Sequence, residues 1–95
     1  MVEDVSTGSD LRIEVVKRAP MIAALRESAL DRRALEQRLG ISKSTVHRNT
    51  TSLADLGLIV RSDGEYKLTE FGEAVAEVVA TFEAGIQTTV HLAPL

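Results

Sequence analysis

The stretch GISKSTVHRNTTSLADLGLI, Gly40–Ile59, decides how this chain folds. Between Ser42 and Ser52 a single aliphatic residue, Val46, stands among ten polar ones. Three of these are threonines (Thr45, Thr50 and Thr51), and threonine is a mediocre helix former. The ends of the segment nevertheless read as helical. Ser42 is a natural N-cap, because its hydroxyl accepts from an amide of the first turn. Leu53 and Leu56 continue the spacing that Val46 begins, and Gly57 is a natural stop. The spacing predicts a helix over 43–56.

With Val46 inward, a period of about 3.6 residues brings Asn49, Thr50 and Leu53 beside it, and Leu56 closes the row. The opposite arc carries Ser44, Arg48, Thr51 and Asp55, with Thr45 and His47 on the flanks. A helix with so narrow a seam and so wide a polar face suits the major groove of DNA. There the exposed side meets base edges and phosphates through hydrogen-bonding groups. Arginine reaches guanine O6 and N7 in bidentate fashion, which makes Arg48 the candidate base reader.

Upstream, Asp31 caps the segment RRALEQRLG, with Ala34, Leu35 and Leu39 at helical spacing and Gly40 at its end. Two helices joined by a short turn containing glycine make a helix-turn-helix. Downstream, LIVRSDGEYKL alternates like strands around Asp63-Gly64, a strong hairpin signal. Leu58 and Val60 are expected on one face, with Tyr66 and Leu68 across the turn. Thr69 then caps a last helix whose stripe is Phe71, Val75, Val78, Val79, Phe82 and Ile86.

Toward the N-terminus, residues 1–9 read as a flexible tail with Ser6, Thr7, Gly8 and Ser9. A first helix begins near Asp10 and is interrupted or restarted at Pro20, since proline suits a first turn and not an interior. Met21, Ile22 and Leu25 continue an apolar stripe, and Ala29-Leu30 reads as an extended link. The fold class is α+β, mainly α: three helices, a β-hairpin wing and a C-terminal helix, a winged helix-turn-helix over residues 10–86. Residues 87–95, ending in TTVHLAPL, read as an extended tail or the start of a linker, either adding to a partner or leading into a ligand-sensing domain.

Composition bounds the function. At 95 residues the chain is one domain with a modest core. It has no cysteine, which excludes a disulfide framework and thiolate metal sites. Two distant histidines, His47 and His91, make no ligand set, so no metal and no cofactor are expected. No nucleophile, base and acid arrangement stands out and no glycine-rich phosphate loop is present, which argues against an enzyme. No apolar run reaches membrane-spanning length and no signal peptide is visible, so the reading is cytoplasmic with no membrane partner.

The net charge of −3 conceals a focus of positive charge. Residues 1–25 carry four acids and three bases, residues 26–48 three acids and six bases, and residues 49–95 seven acids and two bases. The basic segment surrounds the polar helix, as a nucleic-acid footprint would.

The run LDRRALEQRLGISKSTVHRNTTSLADLGLIVRSDGEYKLTEFGEAVAE, Leu30–Glu77, resembles the winged helix-turn-helix domain of bacterial and archaeal transcription regulators. It is most similar in look to MarR- and IclR-type domains and to N-terminal domains of the archaeal methanogenesis-regulator type. The marks are LGISKSTVHR, then LADLGLIVR into a wing, then YKLTEFG. The resemblance implies that the second helix of the motif reads double-stranded DNA, that the wing touches a neighbouring groove or phosphates, and that the molecule is a dimer. Two departures stand out. Thr50 occupies a place those families give to an aliphatic residue. The wing tip SDGE is acidic, leaving Arg61 and Lys67 as the wing's cations.

The candidate DNA contacts are therefore Arg32, Arg33, Ser42, Lys43, Ser44, Thr45, His47, Arg48, Thr51, Arg61 and Lys67, with Arg38 a further phosphate candidate. Each also has a plainer reading. Capping explains Ser42 and part of Ser44; His47 and Arg48 are also compatible with solvated surface positions; Arg33 or Arg38 pairs with Glu36 or another acid. At the level of function, two readings stand: a sequence-specific transcription regulator, and a winged-helix protein-interaction module in a transcription-related complex. The last helix offers more apolar surface than a small core covers from one side. Val75, Val78, Val79, Phe82 and Ile86, with Leu11 and Val15 of the first helix, are the expected homodimer interface.

Overall fold

Asp31 and Ser42 each open a helix through the same device. In the computed structural model, which describes residues 11–92 and the side chains of residues 11–85, Asp31 Oδ1 accepts from the Ala34 amide at 2.8 Å. Ser42 Oγ accepts from the Thr45 amide at 3.2 Å. Between the two helices Gly40 adopts a left-handed conformation, φ 65°, and its amide returns to the Glu36 carbonyl. The first helix thus ends and the second begins within three residues. The polypeptide runs as α1 (residues 11–17), α2 (Ala19–Glu27), α3 (Arg32–Leu39), α4 (Lys43–Asp55), β1 (Ile59–Ser62), β2 (Glu65–Leu68) and α5 (Glu70–Leu92). This is a winged helix, mainly helical, with one two-stranded antiparallel sheet.

The break between α1 and α2 falls at Arg18, and Pro20 sits in the first turn of α2, where its missing amide costs nothing. Residues 1–9, read as a flexible tail, lie outside the described residues. The C-terminal expectation needs correcting. Residues 87–92 continue α5 instead of forming an extended tail, while residues 93–95 lie outside the described residues. Thr88, Thr89 and Val90 have only modest helix penalties, and a helix already under way propagates through them.

The core lies where α2, α3, α4 and the base of the hairpin meet. Met21, Ile22, Leu25, Leu35, Val46, Leu53, Leu58 and Ile59 are all buried. The hairpin turn is Asp63-Gly64, both with positive φ (52° and 80°), as a two-residue turn matched to strand twist requires. Its register pairs Ile59 with Leu68, Val60 with Lys67, Arg61 with Tyr66 and Ser62 with Glu65. The expected face of Leu58 and Val60 is therefore corrected by one residue. Ile59 is the strand residue that turns inward, Val60 is exposed, and Leu58 is buried just before the strand begins. A run of four apolar residues, Leu56 to Val60 with Gly57 inside it, hides its own phase until the turn fixes the register.

Leu30, read as part of an extended link, does more. Its amide donates to the Tyr66 carbonyl at 3.1 Å and its carbonyl accepts from the Tyr66 amide at 2.8 Å. The wing is thereby stitched to the segment that leads into α3. At the other end of the wing, Thr69 caps α5 by accepting from the Gly72 amide at 2.9 Å, while its hydroxyl donates to the Gly57 carbonyl at 2.6 Å. Gly72 then lies directly on the Leu58 carbonyl: a Cβ at that position would stand 1.9 Å from the oxygen.

Candidate nucleic-acid interface

The seam of α4 consists of Val46, Thr50 and Leu53, at 0%, 3% and 0% exposure. Thr50 fills the aliphatic position without leaving its hydroxyl stranded: Oγ1 donates to the Val46 carbonyl at 2.8 Å and to the His47 carbonyl at 3.1 Å. The helix satisfies the buried polar atom from its own backbone. Asn49 and Leu56, expected beside the seam, are half-buried.

The outward arc is as expected: Lys43, Ser44, His47, Arg48, Thr51 and Asp55 are exposed, and Thr45 is half-buried on the flank. Ser42 Oγ lies 3.2 Å from Ser44 Oγ and donates to Thr45 Oγ1 at 3.0 Å, so three hydroxyls gather at the start of the helix. Capping accounts for Ser42, whereas Ser44 remains directed to the surface. Neither Lys43 nor Arg48 forms an ion pair among the described residues. Their charge is not neutralised by a neighbouring carboxylate.

The arginines of α3 divide. Arg32 pairs with Glu36 one turn along, and Arg38 pairs with Glu27 at the end of α2. Arg33 is exposed and without an ion-pair partner among the described residues. The sequence reading assigned the pairing to Arg33 or Arg38; of these Arg38 is paired, and Arg32 is the residue that takes Glu36. The i, i+4 spacing of Arg32 and Glu36 was the available signal.

On the wing, Arg61 and Lys67 point to opposite faces, because Arg61 opposes Tyr66 and Lys67 opposes Val60. The Arg61 guanidinium stands 5.5 Å from the centroid of the Tyr66 ring, which holds it beside the hairpin by a cation–π contact. Sequence reasoning did not pick out this contact. A two-residue Asp63-Gly64 turn sets Ser62 opposite Glu65, and hence Arg61 opposite Tyr66, so the signal was present in the turn.

The stripe of α5 splits into two faces. Gly72 and Ala76 are buried and Val75, Val79 and Ala80 half-buried, whereas Phe71, Val78 and Phe82 are 48%, 68% and 64% exposed. Val16 of α1 is 73% exposed beside them. Between the two helices runs an apolar groove of about 610 Å³, bordered by Val15, Val16, Phe71, Val75, Val78 and Phe82. The Ile86 side chain lies outside the described residues. No group of three or more metal-ligating residues occurs among the described residues, and no helix there is long and apolar enough to cross a membrane.

A capped helix-turn-helix braced by a hairpin, with a polar helix face turned outward, defines the winged-helix class. Residues 6–91 match the HVO_A0261 N-terminal domain, and the chain belongs to that family. The expected likeness to MarR- and IclR-type domains therefore extends to the winged helix, not to membership of either group. Among solved structures, the crystal structure of the transcriptional repressor BigR from Xylella fastidiosa is similar, with a TM-score of 0.59 and 20% identity over 100% of both chains. At that identity the likeness is one of fold. No curated protein matches the chain.

Proposed function

We propose that this chain is a sequence-specific, double-stranded DNA-binding transcription regulator, with α4 as the helix that enters the major groove. The observation that carries the reading is the division of α4: three buried side chains hold it, and Lys43, Ser44, Arg48 and Thr51 face solvent, with neither cation in an ion pair among the described residues. Arg48 reads a base edge, and Lys43, Ser44 and Thr45 hold the backbone. Arg33 supplies a further phosphate contact, and Arg32 does so only by leaving Glu36. His47 and Thr51 border the reading surface. Arg61, beside its Tyr66 platform, is the better placed wing cation, and Lys67 faces the other way. The description of BigR as a transcriptional repressor supports this reading.

The functional unit is a homodimer joined through the exposed face of α5 and the adjoining α1. Phe71, Val78 and Phe82 form an apolar surface continuous with Val16, of the kind that marks an interface. A two-fold axis there sets two copies of α4 against successive major grooves, about 34–36 Å apart, on a palindromic site. The protein acts in the cytoplasm, without enzymatic activity, cofactor or membrane partner. The acidic wing tip, Asp63 and Glu65, favours the second reading, a winged-helix protein-docking module.

Retention on immobilised genomic DNA separates the two. A regulator is held at low salt and released steeply as salt rises, because each neutralised phosphate releases counterions. A chain that passes through unretained at low salt has no DNA-reading function, and the arc of α4 is then a protein-docking surface.

A further inference from the structure

α5 turns Gly72 and Ala76 to the core and leaves Ala74, Val78 and Phe82, spaced four residues apart, as an exposed strip. At about 100° per residue, Glu70, Glu73 and Glu77 fall on one flank of that strip. The groove shared with α1 lies on the other flank. On the acidic side the strip continues into a shallow depression bordered by Glu77 and Thr81. The helix has no lysine or arginine. None of its glutamates enters an ion pair among the described residues.

The α1 flank has the opposite sign. Arg12 is the charged residue that borders the groove, exposed and in no ion pair among the described residues. Residues 11–18 carry three bases, Arg12, Lys17 and Arg18, against one acid, Glu14. Ile13 and Val16 of α1 are 52% and 73% exposed and extend the apolar surface beyond the groove. So broad a surface on two helices suits another helical surface more than a compact small molecule. A second copy of the chain brings the same strip between the same two flanks, and is complementary to it in both shape and charge.

Two orientations of a two-fold interface are open to such a strip. An axis perpendicular to α5 packs the two helices antiparallel and sets like flanks together, one row of glutamates beside the other. An axis along α5 packs them parallel and turns each α1 flank onto the glutamate row of the other copy. Like charges face to face oppose association, and flanking charges set the orientation of paired helices in coiled coils by the same rule. We infer that the dimer packs its two α5 helices parallel, with Arg12 of each protomer against Glu73 and Glu77 of the other. The inference rests on the homodimer proposed above and adds its orientation and the charges that fix it.

Cross-linking tests the orientation. The chain has no cysteine, so single introduced thiols report on the interface directly. Ala74→Cys and Phe82→Cys lie at exposed positions about 12 Å apart along the helix. Under mild oxidation each variant forms a disulfide-linked dimer with itself, because parallel helices set every position beside its own copy. An antiparallel pair brings at most one of the two within the Cα separation of about 7 Å that a disulfide spans. Self-linking at one position or neither, or links only when the two variants are mixed, overturns the parallel packing. Sedimentation equilibrium reads the charges. Arg12→Glu raises the dimer dissociation constant about tenfold, Glu73→Lys with Glu77→Lys does the same, and all three changes in one chain restore wild-type association. Unchanged association in the separate variants, or no restoration in the combined one, overturns the pairing. A wild-type monomer removes the dimer and this orientation with it. A dimer that links at the wrong positions keeps the dimer and loses the orientation.

Discussion

Thr50 Oγ1 sits 2.8 Å from the carbonyl of Val46, one turn earlier on the same helix. The bond lets a hydroxyl occupy the core without a partner from another element. The carbonyl is also within reach of its ordinary helical donor, so the hydroxyl is a tolerated guest more than a required strut. Thr50→Val is therefore expected to change stability by less than about 1 kcal/mol, because apolar burial offsets the lost bond. Urea denaturation checks this. A loss of several kcal/mol would show that Thr50 is a structural requirement.

Arg48→Ala is expected to weaken binding to the best DNA site by about 1–3 kcal/mol and to relax preference at one base pair. Stability should move by no more than about 0.5 kcal/mol, since the side chain is outside the seam. Fluorescence anisotropy on a specific and a random duplex measures both affinities. Equal binding of wild type and variant to both would remove Arg48 as a reader.

Lys43→Ala should weaken all duplexes alike and reduce the salt slope by about one. A plot of log affinity against log salt for both proteins reads this out. A sequence-dependent loss would move Lys43 from the backbone to the bases.

Val46→Ala removes two methyl groups from a fully buried place. The expected loss is at least about 1 kcal/mol from transfer and cavity terms together. Chemical denaturation gives the number, and it contrasts with the near-silent effect expected at Arg48.

Phe82→Glu places a charge on the exposed face of α5. The fold should persist, since Phe82 is 64% exposed, while sedimentation equilibrium shifts from dimer to monomer. A wild-type monomer at high micromolar concentration would contradict the proposed assembly.

Much of the fold was legible because its punctuation is local. Asp31, Gly40, Ser42 and Thr69 each act through bonds to residues three or four positions away, and each is where its residue type predicts. What stayed hidden was set by partners distant in sequence. Leu30 reads as a link until Tyr66 pairs with it. The apolar stripe of α5 shows its period, but not that Gly72 and Ala76 take the core side and leave Phe71, Val78 and Phe82 outside. Small residues mark close approach, and hydropathy alone points the helix toward its phenylalanines. At the interface, the exposed arc of α4 followed from periodicity, while the pairing of Arg32 with Glu36 was signalled by their i, i+4 spacing and not by a count of charges along the segment.

α4 has thirteen residues, and three of them are fully withdrawn into the core. The helix is in effect written in two alphabets. One, spelled by Val46, Thr50 and Leu53, is read by the rest of the protein and resists change. The other, spelled by Lys43, Ser44, His47, Arg48 and Thr51, has few readers inside the molecule. A lineage carrying this scaffold is free to respell the outer text, and so alter what it recognises, without reopening the question of whether it folds.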